Sequence, residues 1–140
     1  MTLRPGPRWP VRAAPLVWLA VIWVATSIPG RMLPQGPEGA DKLAHFVLYT
    51  PLGLLLLRAL WPARPSWAGA VGVLLLVSLG GAALAWVDEL HQRLIPGRTC
   101  SVADWQVDLL GLGTGLLLGL VWSVVSSLPG HPRQGPRDHR

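Results

Sequence analysis

Four long, mostly apolar runs constrain the fold of this chain more than any other feature of its sequence. A helix needs about 20 residues to cross the hydrocarbon core of a bilayer, and each run is close to that length. The apolar residues come in blocks instead of alternating, which favours helices over a barrel as the way to satisfy the backbone in lipid. We therefore predict an all-α fold, a polytopic membrane helical bundle with four transmembrane helices. The predicted helices cover residues 13–28, 41–61, 67–94 and 104–128.

The remaining segments are short connections and two polar ends. Residues 1–12 are predicted to form a cytoplasmic arm, residues 13–128 the transmembrane domain, and residues 129–140 a disordered cytoplasmic tail. Basic residues before the first run also resemble a signal peptide. That run holds two tryptophans and is long for a signal core, so we expect an uncleaved helix.

Composition excludes several classes of protein. Only 14% of the 140 residues are charged, whereas a soluble domain carries about a quarter. The net charge of +5 comes from dispersed arginines that form no basic face, so we expect no nucleic-acid partner. Cys100 is the only cysteine, which rules out an internal disulfide and a cysteine-based zinc site.

The distribution of charge predicts the orientation of the helices in the membrane. Eight of the twelve lysines and arginines lie in the arm, the second connection and the tail. Cytoplasmic loops carry the excess of these residues, so both termini are expected in the cytoplasm. Six of the seven acidic residues fall on the opposite, extracytoplasmic side.

Two polar segments on that side, residues 41–45 and 86–108, interrupt sequence that otherwise suits lipid. Charge in such surroundings is costly and marks a functional site by default. Helical spacing puts several of these side chains on shared faces, and we predict that they converge on one outward-facing polar site. The candidates are Asp41, His45, Tyr49, Asp88, Glu89, Gln92, Arg98, Ser101, Asp104 and Asp108. Below them, Gly111, Gly115 and Gly119 form a small-residue stripe that favours close packing of another helix.

Several polar residues on this side, some of them outside the candidate list, also have a simpler interpretation. Interfacial charges such as Lys42, Arg93 and His91 are expected to lie in headgroups and water. His45 is as consistent with an ordinary buried, hydrogen-bonded histidine as with a functional one. Arg98 and Asp104 suit either an ion pair or a phosphate clamp.

Known catalytic and metal-binding patterns are weak here. Carboxylates with one histidine suit Mg²⁺ or Mn²⁺ better than Zn²⁺, but no recognised ligand spacing occurs, so neither a metal nor a cofactor is predicted. A Ser101–His45–Asp triad can be imagined, but nothing in the sequence brings its members together. Whether the chain is an enzyme, and its oligomeric state, stay open.

The motifs taken together resemble the VanZ-like family of small bacterial integral membrane proteins. They are Asp41-Lys42-x-x-His45-Phe46-x-x-Tyr49, Asp88-Glu89-x-x-Gln92, Pro96-Gly97-Arg98-x-x-Ser101-x-x-Asp104, and Gly111 with Gly115. The resemblance spans about residues 14–125. The family more usually has Asn where this chain has Asp108, which adds an acidic group to the site.

The resemblance implies a role in the cell envelope. The founding member is linked to low-level resistance to teicoplanin, an antibiotic that acts outside the cell. We expect membrane lipids as partners and an envelope precursor or a lipid headgroup as ligand. The alternatives are a metal-assisted hydrolase or transferase acting on lipid-linked phosphate through Arg98, Asp104 and Asp108, and a structural or accessory membrane subunit.

Overall fold

The computed structural model describes residues 9–33, 36–62 and 66–126, and these form four long helices. They are α1 (Trp9–Thr26), α2 (Ala40–Leu60), α3 (Trp67–Gln92) and α4 (Val102–Val125), with a short 3₁₀ turn at Gly30–Met32. The described residues contain no strand, and all four helices are long and apolar enough to cross a membrane. The predicted all-α fold with four transmembrane helices is therefore confirmed.

The helix ends differ from the predicted ones by a few residues. α1 begins at Trp9, inside the segment assigned to the arm, and α3 ends at Gln92. α4 ends at Val125. The predicted tail and residues 1–8 of the arm lie outside the described residues.

Local chemistry explains where two helices begin. The Ser66 hydroxyl accepts a hydrogen bond from the Gly69 N–H at the start of α3. The Ser101 hydroxyl accepts one from the Asp104 N–H at the start of α4. Serine is a preferred residue at this position because its side chain satisfies one of the free N–H groups of the first turn.

The connection between α1 and α2 and the connection between α3 and α4 touch each other at one end of the bundle. The Gly30 N–H donates to the Pro96 carbonyl across 3.0 Å. A Cβ atom on Gly30 would collide with the carbonyl oxygen of Gly97, which itself has a φ of +77°. Only glycine suits both positions, because one needs the space and the other the left-handed backbone.

Helices α2 and α4 approach most closely along glycines. A Cβ on Gly111 would lie 2.7 Å from the Phe46 carbonyl oxygen, and one on Gly115 would collide with the carbonyl of Thr50. Farther along, a Cβ on Gly119 would meet the Leu57 side chain at 2.7 Å. The glycine stripe predicted from the sequence thus packs against α2. At Gly111 and Gly115 the backbones of the two helices are in direct contact.

The apolar core continues this contact. Tyr49 and Leu52 of α2 pack with Leu112 of α4, Ala85 of α3 and Ile22 of α1. A second cluster of Leu57, Val77 and Leu116 lies nearer the other end of the bundle. Most other large apolar side chains face outward, as expected of helices that lie in lipid.

The indole of Trp105 contacts α3. Its indole N–H donates to the Ala82 carbonyl across 3.1 Å, and its ring meets Trp86 edge-on with centroids 5.7 Å apart. Trp105 therefore joins α4 to α3. By contrast, Trp67 is 85% exposed.

We predict that Gly115→Ala destabilises the bundle and that Gly113→Ala does not. The new methyl group at position 115 would press on the Thr50 carbonyl, whereas a Cβ at Gly113 meets nothing within 4 Å. Overpacking of this kind costs about 1–3 kcal/mol. Thermal unfolding in detergent should show a lower midpoint only for Gly115→Ala; equal midpoints for the two variants would contradict the close contact.

Candidate functional site

Six polar side chains are buried at the end of the bundle where the two connections meet. They come from all four helices and are Thr26, His45, Asp88, Glu89, Gln92 and Asp108. Glu89 and Asp108 are 0% exposed. Burying charge without partners is expensive, so the contacts among these groups determine whether the helices can assemble.

One half of the cluster centres on His45. Its Nδ1 lies 2.9 Å from Asp108 Oδ1 and 3.8 Å from Glu89 Oε1. Thus α2 supplies a ring nitrogen to one carboxylate of α4 and one of α3. The second oxygen of Asp108, Oδ2, is buried and has no hydrogen-bond partner.

The other half centres on Asp88. Its Oδ1 lies 2.8 Å from the Thr26 hydroxyl, and the Tyr49 hydroxyl donates to Oδ2 across 3.3 Å. The Gln92 amide nitrogen is 3.3 Å from Asp88 Oδ2 and 3.2 Å from Glu89 Oε1. Gln92 therefore links the two halves, and Asp88 is held by hydroxyl and amide donors alone.

Glu89 also fixes the start of α4. Its Oε2 accepts the backbone N–H of Ser101 across 2.8 Å. In a capping box that N–H would be taken by the third residue of the following helix, which here is Asp104. Here Glu89 takes that N–H instead, and the bond ties the start of α4 to α3.

The charged residues at the solvent-facing rim of the site have partners that differ from those expected from the sequence. Lys42 Nζ lies 3.5 Å from Asp104 Oδ1 and 3.5 Å from Asp41 Oδ2. Lys42 was expected simply to face headgroups and water, yet it joins α2 to the first turn of α4. The Asp41 carboxylate is half-exposed at this rim.

The ion pair considered for Arg98 and Asp104 is wrong for the part of the chain that the structure describes. Arg98 Nε donates to the Ile28 carbonyl across 3.1 Å, and a terminal nitrogen donates to the Ala25 carbonyl across 3.3 Å. The Ile28 carbonyl lies just beyond α1, and the Ala25 carbonyl, in the last turn of α1, also accepts the Ile28 N–H across 3.4 Å. Arg98 therefore hydrogen-bonds to carbonyls at the C-terminal end of α1, whereas Asp104 pairs with Lys42.

A serine–histidine–aspartate triad does not form among the described residues. His45 does meet an aspartate, but the Ser101 hydroxyl accepts from the Asp104 N–H and makes no hydrogen bond to His45. The donor atoms of His45, Glu89 and Asp108 do lie within 4.8 Å of one another, which is a spacing that three ligands of one metal ion can have.

A cleft of about 710 Å³ leads from the rim to this cluster. It lies between the end of α1, the connection after it and the first turns of α2. Its apolar lining includes Ile28, Leu33 and Leu48, and its polar lining includes Thr26, Asp41, Lys42, His45 and Arg98. His45 therefore borders both the cleft and the buried carboxylates.

Two contributors to the site were not identified from the sequence. Thr26 lies 62 residues from Asp88, so helical spacing gave no signal for their contact. His91 stacks on Trp23 with ring centroids 3.9 Å apart, instead of lying free at the interface. In both contacts one of the two side chains, Thr26 or Trp23, is on α1, whose run of apolar residues shows no charge that would point to it.

Comparison with known proteins gives one match. A sequence model described as VanZ/LLP1 matches residues 8–123. No curated protein and no solved structure matches the chain.

We predict that Thr26→Val destabilises the protein and that Thr114→Val has little effect. Valine removes a buried hydroxyl that faces Asp88, whereas the Thr114 hydroxyl only donates to the Leu110 carbonyl of its own helix. A buried acceptor left without its donor costs about 1–3 kcal/mol. The measurement is the unfolding midpoint in detergent, and equal midpoints in the two variants would mean that Asp88 does not depend on Thr26.

Proposed function

Because the chain belongs to the VanZ/LLP1 family, we propose that it binds the anionic headgroup of an envelope lipid or lipid-linked precursor at the outer face of the bacterial cytoplasmic membrane. The observation that carries this proposal is the cleft of about 710 Å³, which combines an apolar lining with Lys42 and Arg98 at a rim that also carries Glu38 and Asp41. That combination fits a phosphate attached to a hydrocarbon chain.

The rim offers hydrogen-bond donors to such a headgroup. Arg98 has five N–H donors, and the contacts to Ile28 and Ala25 use two of its nitrogens. Lys42 remains 48% exposed while it contacts two carboxylates. An arginine fork and a lysine at one opening are the usual means of binding phosphate.

An outward orientation is part of the proposal. It is supported by the excess of arginine in residues 1–12, 58–64 and 129–140, which together hold eight of the twelve lysines and arginines of the sequence. The cleft would then face the side on which envelope precursors are used and on which teicoplanin acts.

The two alternatives differ in what they require. A phosphate hydrolase or transferase using Arg98, Asp104 and Asp108 together would need those groups at one point, whereas Arg98 and Asp104 have separate partners. An accessory subunit would need the buried cluster only to hold the helices. Binding is favoured over both because the cleft offers Lys42 and Arg98 at its rim, apart from the buried polar groups at its inner end.

We predict that Cys100 reacts with a membrane-impermeant maleimide in intact cells. Cys100 is the only cysteine and lies, partly exposed, in the α3–α4 connection. The matched control is a Cys100→Ser, Ser66→Cys chain, whose thiol lies at the opposite end and should react only after lysis. The reverse pattern would put the cleft in the cytoplasm and end the outer-face proposal.

We predict that the purified protein retains phosphatidylglycerol more strongly than phosphatidylcholine, and that Lys42→Gln or Arg98→Gln reduces the difference. Loss of one charge-assisted contact should weaken binding about tenfold, or about 1.4 kcal/mol. Native mass spectrometry in detergent measures the retained lipid. Arg58→Gln, on the last turn of α2 at the other end, is the control and should bind as the wild type does.

The same chains can be tested for the envelope role in a teicoplanin-sensitive host at matched membrane levels. A role in resistance requires reduced susceptibility with the wild type and with Arg58→Gln, but not with Lys42→Gln or Arg98→Gln. If the Lys42→Gln and Arg98→Gln variants are instead lost from the membrane, the accessory-subunit interpretation is favoured.

In the lipid-retention measurement, equal retention by the wild type and the three variants would overturn the binding proposal.

A further inference from the structure

The buried cluster has more negative than positive groups. Asp88, Glu89 and Asp108 are at most 3% exposed, and among the described residues no lysine or arginine lies within 4.0 Å of any of them. Among the described residues, the only basic side chain within that distance is His45, which contacts Glu89 and Asp108. Asp88 has hydroxyl and amide donors, so the excess charge is concentrated on Glu89 and Asp108.

Asp108 is the least satisfied member. The carboxylate is wholly buried, Oδ1 faces His45, and Oδ2 has no hydrogen-bond partner. A buried carboxylate oxygen without a donor is costly, and native proteins usually satisfy such an atom with a water molecule or an ion. The free oxygen belongs to the same carboxylate that faces the ring nitrogen.

The spacing of the three donors suits a metal. Two ligands at right angles, with bonds of about 2.1 Å, lie about 3.0 Å apart, and tetrahedral ligands lie about 3.4 Å apart. The distances from His45 Nδ1 are 2.9 Å to Asp108 Oδ1 and 3.8 Å to Glu89 Oε1. All three donor atoms fit within 4.8 Å, so a cation at their centre would reach each after small side-chain shifts.

The surroundings supply the other features that a metal site needs. Gln92 donates to Glu89 Oε1 and Ser101 N–H to Oε2, so that carboxylate is oriented by second contacts. His45 also borders the cleft, which gives an entry path and room for water or a ligand oxygen. The donors come from α2, α3 and α4, so one ion would join three helices.

We propose that His45, Glu89 and Asp108 bind one first-row divalent cation of the Mn²⁺ or Zn²⁺ class at the inner end of the cleft. The sequence pattern favoured Mg²⁺ or Mn²⁺ over Zn²⁺, but the position of the His45 ring nitrogen beside both carboxylates changes that order, because Mg²⁺ seldom takes a nitrogen ligand and Mn²⁺ and Zn²⁺ accept one. Two positive charges would balance Glu89 and Asp108, which among the described residues have no basic neighbour other than His45. The site would hold its ion whether or not the cleft binds a lipid.

The test is metal binding by the purified full chain in detergent without added lipid and without a histidine tag. After chelation, the protein is dialysed against micromolar Mn²⁺ or Zn²⁺, and bound metal is counted by mass spectrometry. We expect about one ion per chain, with a higher unfolding temperature when the ion is present. Asp108→Asn and Glu89→Gln should each lower occupancy at least tenfold and abolish the temperature shift.

The matched control is Asp104→Asn, because Asp104 lies one turn from Asp108 but pairs with Lys42 at the rim. It should bind metal as the wild type does. Folded wild type that takes up no ion would overturn the proposal, as would undiminished binding in Asp108→Asn and Glu89→Gln. If one of these variants fails to fold, the other and the wild-type stoichiometry still decide, and loss of lipid binding alone would leave the metal site standing.

Discussion

The contact between α2 and α4 is the constraint on which the rest of the structure depends. Glycines at 111 and 115 let the two backbones touch, and a single methyl group there would push them apart. This proximity brings His45 within 2.9 Å of Asp108, two residues that a wider helix spacing would separate. A packing feature deep in the apolar layer thereby sets a hydrogen-bond distance in the polar layer above it.

Much of the fold follows from the sequence because lipid leaves few choices. Blocks of about 20 apolar residues predict membrane spans. Because two spans separate the two polar segments, both segments are expected at the same end of the bundle. The small-residue stripe on α4 likewise predicts a close neighbour. Helix ends are less certain from sequence, as α1 shows by beginning at Trp9 within a segment that looked like a polar arm.

The partners within the site were much less predictable. Spacing by four residues identifies neighbours on one helix, such as Asp88 and Gln92, but every contact between helices depends on rotations that the sequence does not specify. Thr26 with Asp88, and Lys42 with Asp104, are contacts of this kind. Arg98 was expected to meet an acidic partner or a phosphate because charge is easy to recognise, yet within the described residues it donates to the backbone carbonyls of Ala25 and Ile28 at the end of α1. Every residue carries a backbone carbonyl, so the sequence does not indicate which carbonyl a side chain will contact.

The division of the site between the two halves of the chain has a consequence for how the protein is made. The first helical hairpin, α1 and α2, contributes Thr26, His45 and Tyr49, while all three buried carboxylates are on the second, α3 and α4. The first hairpin leaves the ribosome earlier and can enter the bilayer with no buried acid. The second hairpin brings its acidic groups into a membrane that already contains their partners, and the Gly30–Pro96 contact then joins the two connections. Membrane insertion of the second hairpin, which carries the three buried carboxylates, is thus coupled to its packing against the first hairpin. An unassembled second hairpin would be a substrate for membrane quality control.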